Sequence, residues 1–412
     1  MSSGNPFARL FGKKPSGTIA TFARLAPGGP TGEINLTLAT FDPATSAPYD
    51  CISYDRSRTW NTVDVAVDGK PMPIPLPLKQ ALTAFRHPKD TTLLWADLLT
   101  GSSAEERSKQ AQVAKQVLEN ARSVTCFLGD ANERSAEAYT VLQTMANWWK
   151  QGCLQVGFPA KFSMATQRNV GDMRAFLLAR NLSQIRLEDK KLWQEIEAVV
   201  NSPYFKSAQA ITDVILGNDV TVRSGAQSIR WEDFNPALRA MLLILTGRGI
   251  ELSPAVAEAF QVVSSIDVSV QRAMKGESLE LLPMIQSARD GSTFTDPREV
   301  VFSVLPVVTP SERVKLSCNK PQPLPVADYT KTTEQVYTEA AKYIIEERQD
   351  FLIWWNQLPP CRRKMRDLPS FVPDYSSPVP KSAFFRAPES GLRRWWDSIA
   401  SPKRIFVDDE SL

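Results

Sequence analysis

Histidine is nearly absent: His87 is the single one in 412 residues. That removes any site built on several imidazoles and most Ser-His-Asp or Cys-His schemes. His87 itself follows a helical pattern and precedes Pro88, where it suits a charge partner for a helix C-terminus. Cysteine is sparse, at positions 51, 126, 153, 318 and 361, with no CxxC pair. An odd, dispersed set argues against a disulfide framework and for reduced thiols. The phosphate-cradling patterns GxGxxG and GxxxxGK[ST] are missing, and Gly28-Gly29 has no helix pattern after it. No run approaches the roughly 18 apolar residues of a spanning helix. No acid precedes Glu33, whereas Arg9, Lys13, Lys14 and Arg24 do, which suits a solvated basic tail better than a mitochondrial presequence. These gaps lead us to expect no metal, no cofactor and no membrane, in a cytoplasmic or alternatively nuclear protein.

What is present is ordinary globular material, 43% apolar and 23% charged, with a net charge of +3 that gives no reason to propose a nucleic-acid partner. Alternation over Ile34 to Leu38 and Val63 to Val67 reads as half-exposed strands, and Asp68-Gly69 as a hairpin turn. The proline-spaced PMPIPLPL reads as extended chain. Later segments are helical: Ala138 to Trp149, Leu192 to Val200, Trp231 to Thr246, a helix capped by Ser253, and Thr333 to Glu347. From Pro359 the chain is proline-rich. Its end carries GLRRWWDSIA, where Arg393, Arg394, Trp395 and Trp396 have the composition of an interaction hot spot.

The densest information lies between Leu94 and Gly129. An apolar run stops at Asp97, Glu105-Glu106-Arg107 opens a helix, and Val124 to Leu128 forms a second buried strand. That is a βαβ unit, expected to pair its two strands side by side and parallel. Trp95, Asp97, Glu106, Arg107, Gln110, Ala121, Val124, Leu128 and Gly129 resemble the signature block of the fungal heterokaryon-incompatibility domain. Further blocks follow in that family's order: FARLAPG, Ile52-Ser53-Tyr54, Pro203-Tyr204-Phe205, Asp219 to Val222, Trp231 to Phe234, DPREVVFSVL, Asp328-Tyr329 and LPSFVPDYSSP. The resemblance spans roughly residues 22–378.

It implies an α/β fold: a mainly parallel, flavodoxin- or TIR-like sheet over 19–225, after a basic tail at 1–18. A mostly helical second domain would occupy 226–378, and a proline-rich tail 379–412. The polar blocks depart from the family's pattern. Arg56-Ser57 stands where it has WG, Leu98 to Gly101 replaces its AICINQ tip, and SAQAITD replaces its RVWVVQE. Its QE glutamate thus falls on Asp213. By analogy with NAD-cleaving TIR domains, a carboxylate there would stabilise oxocarbenium charge as nicotinamide leaves. Aspartate is a methylene short for that placement, and a solvated helix residue is the plainer reading.

Asp97, at the end of a strand, is the second catalytic candidate. It could equally bond the following loop or helix start. Ser53, Tyr54 and Asp97 are candidates for a ligand pocket, although a buried tyrosine with a bonded hydroxyl would explain Tyr54 without one. The reading that follows is a non-enzymatic interaction or scaffold protein related to fungal self/non-self recognition and cell-death signalling. Its partner would be a protein, in a multi-subunit complex or a homo-oligomer. The alternative is a TIR-like NAD(P) hydrolase.

Overall fold

The computed structural model describes residues 17–29, 31–56, 60–96, 103–157, 167–289, 294–309, 323–348 and 363–377. Two strands open the chain, β1 (Ala20–Leu25) and β2 (Asn35–Phe41), then β3 (Asp50–Tyr54). The hairpin β4 (Thr62–Val67) and β5 (Lys70–Pro75) turns at Asp68 and Gly69, whose φ values of 50° and 75° are the left-handed pair that such a turn requires. Pro71, Pro73 and Pro75 recur every second residue, so their missing N–H groups fall on one side of β5. That side faces away from β4, and it leaves the sheet an edge poorly able to accept another strand.

Helix α1 (Leu76–Phe85) follows, then β6 (Thr92–Trp95), α2 (Ala104–Asn120) and β7 (Ser123–Gly129). Next come α3 (Ser135–Gln155), α4 (Gln167–Leu178), α5 (Lys190–Val200) and α6 (Ala208–Leu216). The short strands β8 (Val220–Ser224) and β9 (Gln227–Arg230) precede α7 (Trp231–Gly247), α8 (Pro254–Met274), α9 (Leu281–Arg289), α10 (Glu299–Phe302) and α11 (Thr333–Arg348).

The nine strands form one sheet in the order β5-β4-β2-β1-β6-β3-β7-β8-β9. It is mixed, with four parallel and four antiparallel pairs, and the expectation of a mainly parallel sheet is corrected accordingly. The parallel block is β6-β3-β7-β8, and the antiparallel strands β1 and β9 flank it. The expected side-by-side pairing of the βαβ strands is also corrected. β6 and β7 run parallel, but β3 lies between them and bonds to both. The reason is burial: all five residues of β3 are buried, so it needs cover on both faces and a neighbour along each edge. Asp50 fixes the register, accepting bonds from Arg122 and, at 2.8 Å, from the Ser123 hydroxyl.

The described residues sort into two compact units that interleave along the chain. One unit takes residues up to Asn132, Ser202–Arg230 and those from Ser265 on; it contains the whole sheet. On one sheet face, Leu78, Ala81 and Leu82 of α1 bury Ile52, Tyr54, Leu94 and Phe127. The last described segment, 363–377, buries Val372 and Tyr375, while Phe371 stays half-buried. Asp374 holds that segment, accepting the amides of Lys364 (2.7 Å) and Met365 (3.2 Å). The other unit takes 133–201 and 231–264 and is helical. Trp148 and Trp149 of α3 are buried there, as core tryptophans.

Candidate functional site

Strand β3 leads, through the β4-β5 hairpin, to α1 on one sheet face, whereas β6 leads to α2. Tyr204 and Asp213, from the stretch 202–216 just before β8, dock on the face opposite α1, where Tyr204 reaches Cys126 and Asp213 reaches Ser53. Adjacent parallel strands whose following helices diverge leave a crevice beyond their C-terminal ends. A cavity of about 410 Å³ lies there. Tyr54 closes β3 and Trp95 closes β6, and both line it. Arg107 and Gln110 enter from the first turns of α2, Ser207, Gln209 and Asp213 from the start of α6, and Phe294, Glu299, Phe302 and Tyr329 from much later in the chain.

One pole of this cavity is closed. Asp213 is 1% exposed, and its carboxylate accepts the hydroxyls of Ser53 and, at 2.9 Å, Tyr204. Gln209, one helical turn earlier, adds a third side-chain bond. Burial pushes the carboxyl up to about 6, against the pull of those donors and of the Arg56 charge. The Tyr204 hydroxyl also lies 3.1 Å from the Cys126 sulfur. Burial, with the nearby Asp213 charge, raises the thiols of Cys51 and Cys126. Both stay protonated at neutral pH and are poor nucleophiles.

The other pole is built differently. The Tyr54 hydroxyl is buried and makes no hydrogen bond, and neither does the buried Ser207 hydroxyl. Ser103 caps α2 and Glu106 returns the bond, forming a capping box. The next residue, Arg107, lies 3.9 Å over the Tyr329 ring and 3.5 Å from both Asp296 and Glu299. Tyr329 donates its hydroxyl to Glu299 at 2.5 Å, and its amide bonds the Ser108 hydroxyl at 2.8 Å. The Trp60 indole donates to the Asp55 carbonyl at 2.7 Å, which fixes its ring. Thr212 ties the two walls by donating to the Ser303 carbonyl. Among the described residues no group of three His, Cys, Asp or Glu could hold a metal ion.

Residues 49–207 match the sequence model of the heterokaryon incompatibility protein (HET) family. Over that span the chain carries a heterokaryon incompatibility domain. No curated protein and no solved structure matched. The HET span carries β3, β6, α2 and β7, and with them the strand-end wall of the crevice. It ends at Ser207, just short of the helix that bears Asp213.

Of the site residues expected from sequence, Ser53, Tyr54 and Asp213 come together at this crevice. Asp213 is not the solvated helix residue that was the plainer reading. Tyr54 is buried without the hydroxyl partner that would have explained it. Asp97 lies outside the described residues, as do Arg393, Arg394, Trp395 and Trp396. His87 sits just past α1, where its Nδ1 accepts the Asp90 amide at 2.9 Å. Sequence reasoning passed over Arg107, which read as one of several helix-start charges. A positive residue in a first turn is the signal that could have exposed it, because a helix N-terminus favours acids. It also passed over the wall at 294–306 and Tyr329, whose contacts with α2 and α6 span about 90 to 220 positions of sequence.

Proposed function

We propose that this chain is a non-enzymatic member of its family. It would serve as an interaction or assembly module in fungal self/non-self recognition and cell-death signalling. The observation that carries this reading is the state of Asp213. A carboxylate that steadies the ribosyl oxocarbenium formed as nicotinamide departs must approach the ribose. Here the residue is 1% exposed and its carboxylate is already engaged by Ser53, Tyr204 and Gln209. The partner is a protein in the cytoplasm, bound in a larger complex or as a second copy. Arg393 to Trp396 are its docking segment. No described helix is long and apolar enough to cross a membrane.

The second reading, NAD(P) hydrolysis through Asp213, is favoured by one observation: this carboxylate lines a cavity at the strand ends. Incubation of the full chain with NAD and assay for nicotinamide separates the two. The proposal expects no release, together with a protein that co-purifies from cells and is lost when residues 379–412 are deleted. Turnover that disappears in Asp213→Asn would replace the first reading by the second.

A further inference from the structure

The cavity's open pole has a composition that protein packing does not explain. Buried hydroxyls are nearly always bonded, and an exception calls for a ligand, a water or a stated strain. Tyr54 is such an exception at the cavity wall. Two guanidinium groups, Arg56 and Arg107, line the same space. Arg107 is oriented by stacking on Tyr329, but its acidic neighbours stand at 3.5 Å. Charge-assisted bonds close to about 2.8 Å when they form fully, so its planar fork is positioned yet incompletely satisfied. Its two acidic neighbours have other donors: Glu299 accepts the Tyr329 hydroxyl, and Asp296 accepts the Arg298 guanidinium at 2.8 and 2.9 Å. Between these groups the walls are flat and aromatic, from Trp60, Trp95, Phe294 and Phe302.

We propose that this cavity binds a small molecule in which a planar ring carries an anionic group. The ring lies between the aromatic walls, and the anion, a phosphate or a carboxylate, meets Arg107 and Arg56. The Tyr54 hydroxyl donates to the ligand. A volume near 410 Å³ suits a compact ligand, toward the lower end of small-molecule sites. The inference extends beyond the non-enzymatic reading and does not depend on it.

Calorimetric titration of the full chain tests it with four probes: AMP, benzoate, adenosine and inorganic phosphate. AMP or benzoate should bind at least tenfold more tightly than adenosine and phosphate, and which of the two wins identifies the anion as phosphate or carboxylate. Arg107→Ala should weaken that binding at least tenfold. Tyr54→Phe, which keeps the ring, should weaken it several-fold with an intact melting transition. Adenosine binding as tightly as AMP, no binding of either ring-bearing anion to folded protein, or unchanged affinity in Tyr54→Phe would each overturn the proposal. Absence of binding would leave the non-enzymatic reading standing. Binding accompanied by NAD cleavage would remove that reading and keep the pocket.

Discussion

The two poles of one cavity contrast sharply. Around Asp213 the polar atoms are matched: a buried carboxylate, two hydroxyls and an amide side chain satisfy one another. Around Tyr54 and Arg107 they are not, with a buried hydroxyl left unbonded and a guanidinium held at long range from its acids. A closed network stabilises a fold, whereas an open one is retained at a cost to stability and has to be explained by what it contacts. Asp213, which the analogy with NAD-cleaving domains put forward as a catalytic carboxylate, belongs to the first kind.

The largest effect that would sharpen this contrast is a pH dependence. Folded Asp213 keeps its proton up to about 6, while an unfolded aspartate releases it near 4. Between those values the folded state binds more protons, so stability falls as pH rises through the window. The destabilisation from this group is about 3 kcal/mol, absent below the window and complete above it. Denaturant melts of wild type and Asp213→Asn at pH 4 and pH 7 read it as a difference, and parallel curves would break the account of that pole. Next in size, Arg107→Ala should cost about 1 kcal/mol, through the lost Tyr329 stacking and two long ion pairs. Urea midpoints measure it; a loss several times larger would make Arg107 a fold-closing residue like Asp213. The smallest effect has the opposite sign. Tyr54→Phe removes an unbonded buried hydroxyl and should stabilise by about 0.5 to 1 kcal/mol. Destabilisation by that change would show that the hydroxyl has a structural partner.

Much of the frame was legible because it is local. The alternation of β4, the Asp68-Gly69 turn, the Ser253 cap at 3.3 Å from the Val256 amide and the apolar run of β7 each announce themselves within a few residues. Strand order was not legible. Nothing between Leu94 and Gly129 indicates that β3, from far earlier, inserts between β6 and β7. Nor does a strand's own sequence say that β1 bonds antiparallel partners on both edges. The site followed the same rule. Asp213 could be located because a motif places it, but its burial depends on Ser53, 160 residues away. Arg107 reads as a surface charge until Asp296 and Tyr329 are brought to it across about 190 and 220 positions.

The claim that Asp213 is a structural residue is tested most directly by the stability of Asp213→Ala at pH 7. Removing a catalytic group from a strained site commonly leaves a protein as stable as before, or more so. Removing the centre of a closed network strands its donors, Ser53, Tyr204 and Gln209. The account predicts a loss of about 2 to 4 kcal/mol in equilibrium unfolding. A variant as stable as wild type, or more stable, would contradict it.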